Sequence, residues 1–153
     1  MEFFFKLNYQ LSAEDANPDD LVERLGEAGC DDALVGIGQP GRIALEFTRE
    51  AESAFDALTT AIADVRRAIP TARLIEAGPD LVGLTDIADA VGVTRQNMRK
   101  LAISNFASFP VPGHEGTSTL WHFADVLGWL SGRGSYQLEP GTLEIAKTAK
   151  QLN

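Results

Sequence analysis

The chain has 153 residues, 44% of them hydrophobic and 23% charged, and a formal net charge of −9; these are ordinary globular values for one domain or two small ones. Its single cysteine, Cys30, excludes an intrachain disulfide and a cysteine-rich zinc site, and no apolar run reaches the roughly 18 residues of a membrane helix. The apolar residues after Met1 follow no basic segment, so the start does not read as a signal peptide; a cytoplasmic chain without membrane association is the expectation.

The excess acid is unevenly distributed. Residues 1–80 hold 7 Lys and Arg against 16 Asp and Glu, whereas residues 81–153 hold 6 of each. Such asymmetry predicts two domains with different partners.

Glu2 to Leu11 alternates, with Phe3, Phe5, Leu7, Tyr9 and Leu11 on one face, which predicts a half-buried strand. Asn17-Pro18-Asp19-Asp20 combines a capping side chain, a proline at the first helical position and two acids at the positive end of the dipole. Leu21, Val22, Leu25 and Ala28 give that helix an apolar stripe, closed by Gly29. Residues 33–38 predict a short strand, 39–41 a turn, and 42–48 a second strand with Ile43, Leu45 and Phe47 on one face. Residues 50–69 predict a helix with Phe55, Leu58, Ile62, Val65 and Ile69 at helical spacing, stopped by Pro70. A last strand is expected over 71–77.

This order, βαββαβ, predicts a ferredoxin-like domain over residues 1–79. The fold serves many functions, so the order alone assigns none. The glycines of residues 36–41 lie in a hairpin turn, with no helix N-terminus and no Lys-Ser/Thr after them, which argues against a phosphate cradle. Acylphosphatases share the element order. Their Arg-bearing phosphate loop would fall at Ser12–Ala16, which is acidic here. The carboxylates Asp19, Asp20, Glu23, Glu27, Asp31 and Asp32 read as a solvated surface, not a catalytic pair. No nucleophile, base and anion site converge, so no catalytic residue, metal or cofactor is expected.

Residues 84–130 carry the functional signal. Thr85 is positioned to cap a helix that faces Ile87, Ala88 and Val91 inward. Gly92 suits a left-handed turn, Val93 plugs it, and Thr94 caps a second helix. With Met98 and Leu101 inward, Arg95, Gln96, Asn97, Arg99 and Lys100 face out. That is a helix-turn-helix. Arg95, Gln96 and Asn97 have the chemistry to read base edges. Thr94, Arg99 and Lys100, with Arg133 in a link over 131–135, suit phosphates. Phe109-Pro110-Val111-Pro112, then 113–116 and 117–121, predict a β-wing leading into a helix that ends at Trp129-Leu130. The wing offers His114, Thr117, Ser118, Thr119 and His122 as contacts. Trp121 and Trp129 read as core.

Ile87-Ala88, Gly92-Val93-Thr94-Arg95-Gln96, Phe109-Pro110-x-Pro112, Trp121 and Asp125-Val126-x-x-Trp129-Leu130 together resemble the winged helix-turn-helix of the MerR-like and excisionase (AlpA-like) DNA-binding families. The resemblance covers about residues 81–133 and implies double-stranded DNA as partner. Wings of those families often carry Arg or Lys; this tip, His114-Glu115-Gly116-Thr117-Ser118, does not. His114 and His122 lack a Cys partner and predict no metal site.

The expected architecture is therefore α+β: an acidic ferredoxin-like domain (1–79), a winged helix-turn-helix domain (80–134), and a C-terminal linker and helix (135–153). In that last helix Thr142 caps, and Leu143, Ile145, Ala146, Ala149 and Leu152 form the stripe. The expected function is a sequence-specific transcriptional regulator acting as a homodimer, its acidic domain dimerising or meeting a protein partner or small-molecule effector. Two alternatives fit the same pattern. One is an antitoxin or adaptor whose acidic domain holds a protein and whose DNA binding is autoregulatory; the other is a phage-type recombination directionality factor.

Overall fold

A computed structural model describes residues 1–134, 136 and 138–153. The protein is a mixed α+β chain with a four-stranded antiparallel sheet and, among the described residues, six helices. It divides into two units, Met1–Gly78 with Leu152–Asn153, and Pro79–Gln151. No helix among the described residues is long and apolar enough to cross a membrane.

In the first unit β1 (Glu2–Gln10), α1 (Pro18–Glu27), β2 (Ala33–Gly36), β3 (Arg42–Glu50), α2 (Ala54–Ala68) and β4 (Arg73–Gly78) follow in order. The sheet order is β2-β3-β1-β4. β1 is central because its alternation is complete: Phe3, Phe5, Leu7 and Tyr9 are buried, and Phe5 stacks on Phe47 of β3 at 5.1 Å between centroids. A strand with one face so committed can take only one register, since a one-residue slip would turn every apolar side chain outward. α1 begins where Asn17 Oδ1 accepts from the amides of Asp19 and Asp20, and it buries Leu21 and Leu25.

Several local expectations are corrected. Val22 is exposed, because Leu21 and Leu25, one turn apart, already define the buried side. β3 runs on to Glu50, paired with Glu2, so α2 starts only at Ala54, where the Ser53 hydroxyl accepts from the Asp56 amide at 3.0 Å. The buried stripe of α2 is Ala54, Ala57, Leu58, Ala61, Val65 and Ala68, and Phe55 lies outside it, exposed. Small residues let a helix approach its neighbours closely, so alanine takes the place expected of Phe55. β2 stops at Gly36, and β4 spans 73–78.

Asp32 is not simply solvated. Arg49, 8% exposed, points to the helix side of β3. Its guanidinium meets both Asp32 oxygens at 2.7 and 3.0 Å, Asp64 at 2.9 Å, the Gly29 carbonyl at 3.0 Å and the Thr60 hydroxyl at 3.3 Å. Two carboxylates and a carbonyl thus neutralise and orient one buried cation, tying β3 to α2 and to the loop before β2. In the acidic Ser12–Ala16 connection, Asp15 is likewise engaged. The Thr71 hydroxyl, and then Arg24, hold its carboxyl below the ordinary carboxylate range.

The second unit contains β5 (Leu81–Val82), α3 (Leu84–Val91), α4 (Arg95–Ser104), β6 (Trp121–His122), α5 (Phe123–Arg133) and α6 (Thr142–Leu152). Its core gathers Val82, Ile87, Ala88, Met98, Phe109, Phe123, Val126, Leu127 and Leu130, with Ala146 of α6 added.

Arg49→Ala is expected to destabilise the protein by on the order of 3 kcal/mol, because two partly buried carboxylates lose their counter-charge; a urea titration should show a lower midpoint with the same slope. Burial, reinforced by the Asp64 charge, pushes the Cys30 thiol up to about 11. Iodoacetamide at pH 8 is therefore expected to leave the native protein unlabelled and to label it fully in denaturant.

Candidate nucleic-acid interface

The α3–α4 hairpin turns at Gly92, whose φ of 74° lies in the left-handed region, where a Cβ is strained. Its amide returns to the Ala88 carbonyl, as does that of Val93 at 3.0 Å. Ile87 and Ala88 are buried and Val91 and Val93 pack at the core's margin. The start of α3 differs from expectation. The cap position is Gly83, whose amide donates to Asp86 Oδ2 at 3.4 Å, and Thr85 lies inside the helix.

Thr94 caps α4 as expected: its hydroxyl oxygen accepts from the Asn97 amide at 3.1 Å. A hydroxyl that accepts in this way keeps one proton to donate, and it sits at the positive end of a ten-residue helix, where an anion is favoured. Of α4, Met98 alone is fully buried, with Leu101 and Ala102 partly so. Arg95, Gln96, Asn97, Arg99 and Lys100 are all exposed. On a 3.6-residue period, Gln96 and Lys100 lie opposite Met98, while Asn97 and Arg99 stand to either side and Arg95 lies nearest its face. Asn97 and Lys100 also border a cleft of about 300 Å³ shared with Tyr136. α4 contains no acid.

One outward residue was missed. Ile103 is 61% exposed and falls on the same stripe as Gln96 and Lys100; reading only polar chemistry on that face passed it over. Phe106 and Val111, which follow α4, are still more exposed.

Where a wing is expected, the chain forms less than a full hairpin. His114 and Leu120 form an isolated bridge, with Leu120 N donating to His114 O at 2.9 Å and Gly113 N to Leu120 O at 2.9 Å. A Cβ at Gly113 would meet Leu81 Cδ2 at 2.9 Å and the His122 ring at 3.0 Å, so a side chain there would have to displace one of them. His114, Thr117, Ser118 and Thr119 are exposed, as is Glu115.

His122 has a different situation. It belongs to β6, which pairs antiparallel with β5 through Leu81↔His122 and Val82↔Trp121, a ladder not foreseen because two-residue strands carry no periodic signal. Its Nδ1 lies 2.7 Å from Oδ1 of buried Asp80, and the Asp80 carbonyl accepts from the Phe123 amide at 2.6 Å. His122 thus closes the unit.

Trp121 and Trp129 meet Phe109 edge-on at 6.2 and 5.1 Å and donate to the Pro110 carbonyl and Ser108 hydroxyl; they are structural, as read. Arg133 stands not in a link but in the last turn of α5, which Gly134 caps. Its guanidinium lies 4.8 Å from the Trp129 ring centroid and 3.5 Å from Asn105 Oδ1, a cation–π contact that fixes it. Of the expected link, Ser135 lies outside the described residues. α6 begins at Thr142, with Ile145 N donating to the Gly141 carbonyl, so Thr142 is the first helical residue and not the cap.

The geometry thus brings Thr94, Arg95, Gln96, Asn97, Arg99 and Lys100 together on one helix. No group of three or more His, Cys, Asp or Glu that could hold a metal occurs among the described residues.

Thr94→Ala is expected to cost about 1 kcal/mol through loss of the cap, and Gly92→Ala about the same or more through backbone strain. Both should appear as a lower melting temperature and as faster amide exchange confined to α3 and α4. No family model, curated protein or solved structure matches the chain, so its function has to be read from its own residues.

Proposed function

We propose that the protein is a sequence-specific, double-stranded-DNA-binding regulator of transcription that acts as a homodimer. On this reading residues 1–78 form a ferredoxin-like domain, supported by the βαββαβ order and the β2-β3-β1-β4 sheet. The second unit is a winged helix-turn-helix, supported by the left-handed Gly92 turn and the loop closed by His114 and Leu120.

The observation that carries the proposal is α4 itself. It is anchored by a single fully buried residue, Met98, and spends five consecutive-turn polar side chains on solvent without one acid among them. A helix kept only for packing has no need of that outward composition. In a major groove, Arg95 suits guanine and Gln96 or Asn97 suits adenine; Thr94, Arg99 and Lys100 suit phosphates; Ile103 suits a thymine methyl. The exposed Thr117, Ser118 and Thr119 would contact the backbone as neutral donors, with Glu115 turned away. Arg133, held on Trp129, is the weakest of the candidate phosphate contacts.

The acidic excess of residues 1–80 favours a second reading, an adaptor or antitoxin that holds a basic protein and binds DNA for autoregulation. A stoichiometric basic protein co-purifying with the native chain would favour it over the first.

The test is a gel shift with DNA from the gene's own promoter region, repeated at 50 and 200 mM salt. Salt-sensitive, sequence-selective binding is expected. Arg99→Ala should reduce the slope of log K against log salt by about 1. Arg95→Ala should weaken the preferred sequence by roughly ten- to hundredfold while sparing random DNA. Absence of binding, or binding unchanged in the Arg95→Ala, Arg99→Ala double variant with its melting temperature intact, would overturn the proposal.

A further inference from the structure

The helices cover one face of the four-stranded sheet; the strand register defines what stands on the other. Glu2 lies beside Glu50, Phe4 beside Thr48, Lys6 beside Glu46, with Leu34 on the other side of Glu46, Asn8 beside Ala44 and Glu76, and Gln10 beside Arg42 and Arg73. Two properties of this face stand out. Phe4, Leu34 and Ile75 are exposed by 61%, 73% and 47%, an apolar content that an uncovered sheet face normally lacks. The charges are also ordered along the strands: Glu2 and Glu50 occupy one end, and Arg42 and Arg73 the other. Lys6 and Glu46 pair in the middle row, and Glu76 lies one row nearer the arginine end.

We infer that this face is an interface for a second copy of the chain, packed sheet on sheet with the strands of the two copies running in opposite directions. A two-fold axis crossing the strands near Lys6 superposes the glutamate end of each copy on the arginine end of the other. It brings Phe4 over the level of Ile75 and Ala44. At the axis itself, Lys6 faces the mate's Lys6 and Glu46 the mate's Glu46, each Lys6 lying beside its own Glu46 and diagonal to the mate's. The opposite choice, strands running the same way, would place glutamate on glutamate and arginine on arginine. The charge order therefore selects both the partner and its orientation, because a face that carries both signs at its two ends is complementary to itself.

The size is suitable. Strands of nine, nine, six and four residues, about 4.8 Å apart and rising roughly 3.4 Å per residue, offer on the order of 450 Å² of projected sheet per copy. Accessible area exceeds projected area, so this approaches the ~800 Å² per partner of a standard interface. Glu50 also holds the Met1 ammonium, and Arg42 donates to Gln10 at 2.6 Å; both contacts lie within the face and pre-order its ends.

The inference names the surface behind the homodimer in the proposal above, but it rests on the first unit alone and has a readout that needs no DNA. Two full-length variants are compared by analytical ultracentrifugation from 1 to 100 μM, with circular dichroism as a check on folding. Arg42→Glu with Arg73→Glu makes the face wholly acidic at its ends, and Glu2→Lys with Glu50→Lys makes them wholly basic. The wild type is expected to dimerise, each variant to weaken self-association at least tenfold, and an equimolar mixture to recover the dimer as a heterodimer. Phe4→Lys should also give a folded monomer. A monomeric wild type at 100 μM, or variants that dimerise as it does, would overturn the inference. Gel shifts on the same variants separate the two claims: loss of dimer with residual weak, salt-sensitive binding leaves the DNA reading standing.

Discussion

An amphipathic element can bury one face only, and both units are built on that restriction. In β1 the buried face is complete, from Phe3 to Tyr9, and this fixes the register of β3 and β4 on either side of it. The cost is that every second residue of the sheet looks the other way, so Phe4, Leu34 and the ordered charges around them are a consequence of the same alternation. In α4 the restriction is sharper, because a ten-residue helix gives its core one fully buried side chain, Met98. Its position must then come from its ends: the Gly92 turn and the Thr94 cap. What those two residues hold in place is a row of polar side chains with no packing role.

Electrostatics divides along the same line. The first unit contains the excess acid, and part of it has an internal purpose. Asp32 and Asp64 serve Arg49, and Asp15 serves Arg24. Such pairs are costly to bury and costlier to break, so they specify how loop, strand and helix meet more than they add to net stability. The remaining acids of the first unit, except half-buried Glu76, are exposed. Around α4 the balance is even, and the exposed cations Arg95, Arg99 and Lys100 are concentrated on that helix.

Much of this was legible in the residues. Alternation identified β1 and β3, and Asn17 with Pro18 identified the start of α1, because each signal is local and strong. Gly92, Thr94, Met98 and the outward set of α4 were legible for the same reason. Three kinds of feature were not. The β5–β6 ladder consists of two-residue strands about forty residues apart, too short for any period. Arg49 looks like an outward polar residue at the end of a strand, and only its distant partners make burial tolerable. In α2, large residues suggested the inner face, whereas close packing selected alanines and left Phe55 outside. Arg133 follows the same rule: Ser131-Gly132 reads as a link, but Trp129 holds the guanidinium and the helix continues beneath it.

On the proposed reading, these features limit how the protein can engage DNA. If Thr94, Arg99 and Lys100 are the phosphate contacts of one copy, only two of them carry charge, and each neutralised phosphate contributes a slope of about −0.9 in log K against log salt. The wing adds hydrogen bonds without charge, and the first unit's acid opposes approach to any polyanion. One copy therefore has little non-specific attraction to draw on. Two copies joined through the first unit double the phosphate contacts and make the second engagement intramolecular, which raises affinity without a new contact. Because the added attraction comes from geometry and not from bulk charge, it is realised only where two half-sites stand at the separation that the dimer imposes. The acidic unit, which looks unsuited to a DNA-binding protein, would then sharpen selectivity: it suppresses binding to arbitrary sequence while the dimer restores it at the matched one.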